Sequence, residues 1–541
     1  SFHQRIDLTE EKRYSLTKAT KDILYKVDDE LVINVFLKGD FPAGFRKLSN
    51  TTREFVQVLK ESNPANIQYN FISPEDEVEN GGGKSWGDSL TAAGVAPINL
   101  TVQVKSGQEN KLVFPVALIT YKGQTDLVNL YPSSQRVVSP EDLNNAEAAM
   151  EYGFANTIAK LQNPVKPFVA YATGNGEPVG AETYDLQRSL SNNYNLFTFD
   201  LKLQKNIPDT IKALLIVKPT IPFADAEKLK IDQYIMRGGK VIWAIDNLNA
   251  EQDSLSYKTQ LIAFDRNLNI DDQLFRYGVR INPDLIMDLQ CDFLPFAVGG
   301  DPSNPQYEFL HWNYYPLFES RRNHMINKNL GLVAGRFVNS LDTVEVSGIK
   351  KTLLLQSSAN ARIISTPALI SPNENRNVPQ DRLFTQKDIP AAVLLEVKFI
   401  SLYKNRISKA QNDSLAANGG FKESGEAQNK MVVIADGDLL LNDVSQKSGP
   451  LPMGMNSFTV GSQYEYAFAN RDFLLNTVEY MVSNTTIMEV RNKEVVLRLL
   501  DKQKVEDEKT KWQFINIALP ILLVILFGFI YQQLRKRKYA V

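Results

Sequence analysis

The chemistry this chain could perform rests on one glycine-rich turn and three acidic side chains. Thr173-Gly174-Asn175-Gly176-Glu177 follows the apolar run PFVAYA at 167–172. In parallel sheets, ligands bind beyond the carboxyl ends of strands, where glycine lets backbone come close. The turn is therefore a candidate ligand site, against the plainer reading of a tight strand-to-helix connection. It lacks the GxGxxG spacing, and no acid follows at the offset a dinucleotide requires. Asp246 follows KVIWAI, and Asp436-Gly437-Asp438 follows MVVIA, so carboxylates stand at two more strand ends. Such acids suit a metal or a polar ligand, and they also cap helices and solvate loops.

Other chemistry finds little support. Gly83-Lys84-Ser85 ends like a phosphate loop, but the first glycine of that pattern would fall at Val78 and no strand precedes it. A thiol nucleophile would have to be Cys291, the only cysteine, with His3, His311 or His324. None of these occupies a strand–turn–helix elbow, so Cys291 reads as an apolar filler. Trp312, Tyr314 and Tyr315 beside His311 form an aromatic patch, read first as packing and second as a stacking platform. The histidines have no metal-site spacing, and neither metal nor cofactor is expected.

Elements that could position these residues follow from periodicity. Leu31–Leu37 reads as a strand, Phe41–Glu61 as a helix with Phe45, Leu48, Phe55, Val56 and Leu59 on one side, and Ile67–Ile72 as a strand. Leu100–Val104 and Leu112–Thr120 look like a further pair, and Ser73–Lys84 like a loop. After a polar hinge at 132–140, Glu141–Leu161 reads as a helix. Strands and helices then alternate: Pro167–Ala172, Tyr184–Ser191, Leu196–Leu201, Ala213–Val217, Ala224–Met236, Lys240–Ile245, Met431–Ala435 and Phe473–Val482. Glycine after Arg237 suits the left-handed position that closes a helix. Short Val/Ile/Leu runs between helices predict a doubly wound parallel sheet covered on both faces. The expectation is an α/β protein: a small N-terminal α/β domain (1–140), then a doubly wound domain (141–490) with a long insertion at about 250–425. A charged juxtamembrane helix (491–511), a transmembrane helix (512–534) and a basic cytoplasmic tail (535–541) complete it.

The tail predicts a membrane span. Phe514–Tyr531 reads FINIALPILLVILFGFIY, eighteen residues without a charge. At the helical rise it spans roughly 27 Å, close to the ~30 Å hydrocarbon core. Trp512 and Tyr531 suit the headgroup layers, and Arg535, Lys536, Arg537 and Lys538 place the C-terminus in the cytoplasm by the positive-inside rule. Asn516, Pro520 and Gly528 within the span offer a hydrogen bond, a freed carbonyl and close approach, so a neighbouring membrane helix is expected against them. Across 541 residues, 43% hydrophobic and 23% charged, the composition is that of globular protein. Net charge is −2, and the four cations of the tail leave the remainder acidic, without a footprint for nucleic acid. One cysteine excludes an intrachain disulfide. The chain begins at Ser1 without methionine, and a cleaved signal or a membrane segment is expected before it.

Several stretches carry a resemblance: RIDLTEEKRYSL from Arg5, YGVRINPDLIMDL from Tyr277, YYPLFESRRNHMINKNLG from Tyr314 and DTVEVSGIKKTLLLQSS from Asp342. KMVVIADGDLLLND from Lys430, NRDFLLNTVEYM from Asn470 and RNKEVVLRLLDKQKV from Arg491 continue it in order over most of the chain. They resemble the GldG family, membrane-anchored auxiliary, so-called substrate-binding subunits of gliding-motility-associated ABC transporters of Bacteroidetes. The resemblance implies an inner-membrane protein, its bulk periplasmic, working with a permease subunit and through it a cytoplasmic ATPase. A homodimer within that complex is compatible with it. It also implies a glutamine-amidotransferase-like fold, in which relatives often read TGHGE; Asn175 replaces the histidine, and the Cys–His–Glu set of the enzymes lacks its cysteine elbow. The expected function is a noncatalytic subunit that binds partners or cargo. The alternatives are a membrane-tethered glycan- or peptide-binding module on Trp312, Tyr314 and Tyr315, and a membrane-tethered hydrolase or amidotransferase using the TGNGE turn and the strand-end acids.

Overall fold

The computed structural model describes residues 15–539, apart from 79–82, 94, 96, 105–106, 132–139, 253–254, 256–259, 302–303, 320–323, 329, 347, 373–380, 416–418, 484–489 and 491–501. His3, residues 132–139 of the expected hinge and 491–501 of the juxtamembrane stretch lie outside the described residues. The chain divides into two compact units, Ser1–Lys493 and Glu494–Val541.

The first unit opens with helix α1 (Lys18–Tyr25), strand β1 (Leu31–Val35), helix α2 (Ala43–Ser62) and strand β2 (Ile67–Phe71). Alternation buries Leu31, Ile33 and Val35 on one face of β1, and β1 pairs in parallel with β2 through the crossover α2. β3 (Val116–Tyr121) and β4 (Gln124–Asn129) complete a sheet of order β2-β1-β3-β4. The run expected from Leu112 to Thr120 divides at Phe114-Pro115. Its first residues belong to a hairpin, Ile98–Val104 against Gly107–Val113, and the rest to β3. Helix α3 (Pro140–Gln162) packs with α1 and α2 over the same core, which holds Phe45, Leu48, Val56, Phe154 and Ile158. Glu151 of α3 is buried and accepts from Thr17 N and Thr20 Oγ1, both at 2.7 Å, tying α1 down.

A larger sheet follows. β5 (Phe168–Thr173), helix α4 (Tyr184–Ser191), β6 (Asn195–Asp200), β7 (Ile211–Val217), helix α5 (Asp225–Met236) and β8 (Lys240–Ala244) come in close succession. Later come helix α6 (Asp271–Tyr277), β9 (Lys350–Gln356), β10 (Pro390–Val397), β11 (Asn429–Ile434) and helix α7 (Asn470–Val482). The order is β9-β10-β11-β8-β7-β5-β6. Strands β11, β8, β7, β5 and β6 are parallel, whereas β10 pairs antiparallel with β11 and β9 pairs antiparallel with β10. The sheet is thus mixed rather than wholly parallel, and β9 and β10 come from the segment expected to be an insertion. Alternate residues feed two separate cores. Tyr171, Leu215, Ile242 and Val432 meet α4 and α7, and Leu214, Trp243, Met431 and Val433 meet α5 and α6. Both faces are covered, which is why these strands read as unbroken apolar runs. Gly238, at φ +94°, occupies the left-handed position after α5.

Much of the remaining 250–425 region is β structure, dominated by a long hairpin of Cys291–Asp301 against Asn304–Phe318. It encloses its own core of Leu285, Met287, Trp312, Tyr314, Tyr315 and Phe337. The second unit contains helix α8 (Lys502–Tyr539). Its Lys511–Arg537 stretch, of mean hydropathy 2.5 and with none of it buried, is long and apolar enough to cross a membrane.

Trp243 is fully buried at the centre of β8. Trp243→Ala is expected to cost about 3–5 kcal/mol in urea unfolding of the full chain in detergent micelles. A cost under about 1 kcal/mol would contradict its central place in the sheet.

Candidate functional site

From β5 the chain winds one way to β6 and the other way to β7, β8 and β11, so β5 and β7 flank the crevice where open α/β sheets receive ligands. Here the TGNGE turn itself fills that crevice. Asn175 is fully buried, and its carbonyl accepts from Thr220 N and Ile221 N at 2.9 Å, in the loop after β7. Its side-chain amide donates to Glu227 Oε2 at 3.0 Å, and its backbone N donates to Glu177 Oε2 at 2.7 Å. Tyr171 Oη closes the turn on Pro178 O at 2.7 Å. Gly176 has φ +80°, and a Cβ there would lie 2.1 Å from Thr220 Oγ1, so this contact requires glycine. Gly174, at φ +113°, makes the preceding bend beside Asp200, whose strand pairs with Thr173. Burial pushes the Glu177 carboxyl above its ordinary range. Thr173, Gly174, Asn175, Gly176 and Glu177 are brought together as a packed plug between two strand ends.

One step along the sheet, the three strand-end acids do converge. An oxygen of each of Asp246, Asp436 and Asp438 lies within 4.8 Å of the others, a spacing that suits a cation. The cation in place is a side chain. Lys218, the residue after β7, points its ammonium at Asp438 Oδ1 (2.6 Å), Glu251 Oε2 (2.9 Å) and Asp246 Oδ2 (3.3 Å). Lys218 has φ +48°, uncommon for a residue with a Cβ. Its backbone passes so close to Gly437 that a Cβ on Gly437 would meet Lys218 Cβ at 2.6 Å and Cα at 2.9 Å. The Asp-Gly-Asp spacing therefore carries two carboxylates past a lysine that only glycine admits.

Electrostatics follow from three carboxylates sharing one buried ammonium. Burial opposes charge on Lys218, but Asp438, Asp246 and Glu251 outweigh it and hold the amine protonated well above its usual range. Asp246 lies deeper; burial, with Asp438 and Glu251 adding repulsion, lifts its carboxyl to about 6 despite Lys218. Asp436 is pushed well up by burial and by Asp246 and Asp438, and accepts from Arg336 N at 2.8 Å and Leu439 N at 3.2 Å. Arg336 extends the network with a two-pronged pair to Asp443, one contact at 2.9 Å, and lies 5.1 Å from the Tyr315 ring centre. Arg266 pairs with Glu251. Beside Tyr315, Arg336 and Asp438 is a cavity of about 20 Å³, room for about one water.

The other candidates take structural roles. Trp312, Tyr314 and Tyr315 are each at most 2% exposed, so none presents a face to a glycan or peptide. Trp312 packs on Phe296 and Tyr314, and Tyr315 meets Phe337 edge-on. The stacking platform is corrected to core packing, because three large rings contribute more inside than exposed. Cys291 is brought to 3.8 Å from His311 Nδ1 and 3.4 Å from Asn313 Oδ1 across the long hairpin. Burial, with Asp288 and Asp292 nearby, pushes the thiol far above its ordinary range, which disfavours the thiolate a nucleophile needs. Ser85 caps a short helix, Trp86–Ala92, through a reciprocal bond with Asp88. Lys218, Glu251, Arg336 and Asp443 were not among the residues singled out from sequence. Lys218 stands directly after ALLIV and obeys the same strand-end rule as the acids, whereas Arg336 lies in a loop with no periodic signal.

A mixed α/β protein with, among the described residues, one membrane-length helix is the class that fold and site define. The chain belongs to the family of ABC-type uncharacterized transport system auxiliary components, whose model matches residues 166–477, more than half its length. A domain of unknown function matches residues 10–120. An uncharacterized protein of Borreliella burgdorferi is 20% identical over 547 residues, covering 99% of this chain and 94% of that protein. Among solved structures, the mmIFT52 N-terminal domain aligns at 12% identity and TM-score 0.32, over 59% of this chain and 98% of that one. The exo-beta-1,4-mannosidase Op5Man5 from Opitutaceae bacterium strain TAV5 aligns at 10% identity and TM-score 0.19, over 80% of this chain and 51% of that one. At these scores neither structure carries an argument.

Lys218→Met is expected to destabilise the chain by about 3–5 kcal/mol at pH 8, since it strands buried carboxylates. The folded carboxyl of Asp246 titrates at about 6, above its usual value, so its ionisation opposes folding as pH rises through that window. The deficit should therefore shrink at pH 5, where Asp246 takes up a proton. Chemical unfolding at both pH values checks this; a deficit that is equal or larger at pH 5 would contradict it.

Proposed function

We propose that this chain is the membrane-anchored auxiliary subunit of an ABC transporter, of the GldG type that serves gliding motility. On this reading its large unit lies on the periplasmic side of the inner membrane and binds partners or cargo without catalysing a reaction. The observation that carries the proposal is the family match over residues 166–477, joined in one chain to the apolar helix at Lys511–Arg537. The strand-end geometry is consistent with it, because the crevice beside β5 and the acid cluster are filled by the chain's own groups. Transport energy would then come from a separate cytoplasmic ATPase, reached through a permease. The domain from β5 to α7 is read as a relative of the glutamine-amidotransferase-like fold that has taken up a binding role.

The span would serve as a contact surface as well as a tether. Pro520 interrupts the hydrogen-bond ladder inside α8, and a Cβ on Gly528 would meet nothing within 4 Å. Together with Asn516 they offer a polar, closely approachable stripe to a permease helix. The basic tail 535–541 would then face the cytoplasm, and a homodimer within the complex is compatible with this arrangement.

Affinity purification of the tagged full chain from its native membrane should recover a multi-spanning permease and an ATPase. Replacing Lys511–Arg537 by an unrelated membrane helix should lower that recovery by about tenfold. Unchanged recovery would remove the membrane-contact role, and absence of any ABC subunit from the wild-type preparation would remove the auxiliary-subunit reading.

A further inference from the structure

Away from the strand-end cluster, α6 and the loop after β10 enclose an open groove of about 670 Å³. Its walls carry Arg276, Arg280, Lys404 and Arg406, with Phe275 among them 53% exposed. Four cations gathered on a chain of net charge −2 are a local concentration, not a property of the whole surface. Arg276 Nε donates to Ser401 O at 3.3 Å, and Lys404 lies 3.8 Å from Glu423. Among the described residues, Arg280 and Arg406 have neither an ion pair within 4 Å nor a side-chain hydrogen bond.

The groove is held in shape from below. Asp232 of α5 is fully buried and accepts from Ser401 Oγ (2.6 Å), Leu402 N (2.8 Å), Tyr277 Oη (2.8 Å) and Gln233 Nε2 (3.0 Å). Tyr403 Oη adds a bond to Asp225 O at 3.0 Å. One buried carboxylate thus fixes both the loop that presents Lys404 and Arg406 and the helix that presents Phe275 and Arg276. The backbone that carries Phe275, Arg276, Lys404 and Arg406 is set before any partner arrives, which lowers the ordering cost of binding.

We propose that this groove docks an extended acidic peptide segment of a partner protein. Guanidinium forks suit carboxylates in a two-pronged geometry, and the exposed Phe275 ring offers an apolar neighbour a contact. Asp271 and Asp272 also line the groove, and Lys228 pairs with Asp272 at 2.6 Å. Carboxylates in the wall repel a dense phosphate surface such as a lipid leaflet or nucleic acid. They favour a peptide, whose backbone N–H groups can donate to them between its own acidic residues. The inference deepens the auxiliary-subunit reading by naming the chemistry of a partner, and it rests on that reading for the partner's existence.

The test uses the full chain in neutral detergent and a fluorescein-labelled decapeptide alternating glutamate with leucine. The controls are the same peptide with glutamine for glutamate, and phosphatidylglycerol vesicles with the chain in nanodiscs. The acidic peptide is expected to bind and the glutamine peptide not to. Affinity should fall by about tenfold or more in Arg280→Gln/Arg406→Gln, and again between roughly 50 and 300 mM salt. Both side chains are exposed, so the variant should keep the wild-type unfolding profile, which the same samples report. Equal binding by the variant, no binding of the acidic peptide at about 1 mM, or loss of vesicle but not peptide binding would each overturn the proposal. If the acidic peptide fails to bind while ABC subunits still co-purify, the groove proposal falls and the auxiliary reading stands. The reverse pair of results, binding without co-purification, removes the auxiliary reading and leaves the groove.

Discussion

Parallel strands that end at one edge of a sheet leave polar groups facing a crevice, and something must satisfy them. In this chain the demand is met from inside. Asp246 and Asp438 stand at neighbouring strand ends and share, with Glu251, the ammonium of Lys218, which β7 delivers from the other side of β8. An uncompensated carboxylate at that depth would cost several kcal/mol, so the loops after β7, β8 and β11 are bound to one another by charge. Gly437 lets the lysine through, Asp436 receives the backbone of Arg336, and Arg336 carries the network on to Asp443 and the face of Tyr315. The aromatic core of the long hairpin is thereby joined to the sheet through a polar seam.

The same arrangement shapes what the fold offers to other molecules. A doubly covered sheet normally keeps its switch-point crevice open for a ligand. Here the backbone of Asn175 hydrogen-bonds across that crevice to the neighbouring loop, and the next opening along the sheet holds a lysine. Glycines in both places serve close approach between segments of the chain itself. On the proposed reading the surfaces for recognition are elsewhere: the membrane-length helix with Pro520 and Gly528, and the arginine-lined groove beside α6. This distribution fits a subunit that works by contact.

Much of the architecture was legible from periodicity. Strands of four or more consecutive apolar residues, such as ALLIV and MVVIA, were placed to within a few residues, because burial on both faces removes alternation and leaves an unmistakable run. Helix α4 matched its expected bounds, and Gly238 marked the end of α5. Strands β9 and β10, which pair antiparallel at one end of the sheet, were hidden inside a region dominated by Asn- and Pro-rich connections, and their pairing is non-local. The run at 112–120 misled because Pro115 divides two apolar strands that are contiguous in sequence.

The strand-end acids were legible as a set, since Asp246 and Asp436 each follow an apolar run directly and Asp438 stands two residues on, but their partner was not weighed. Residue type suggested a ligand; the three-dimensional proximity of Lys218 supplies the counter-charge instead. The aromatic residues at 312–315 were ambiguous for a related reason: composition cannot tell a stacking platform from a core, whereas burial of 98% or more decides it. The central claim is that the ammonium of Lys218 is the cation these carboxylates require. Calorimetric titration of the purified full chain with Mg²⁺, Ca²⁺, Mn²⁺ and Zn²⁺ tests it directly. The account predicts no stoichiometric binding in the wild type; a stoichiometric site that disappears in Asp438→Asn would contradict it.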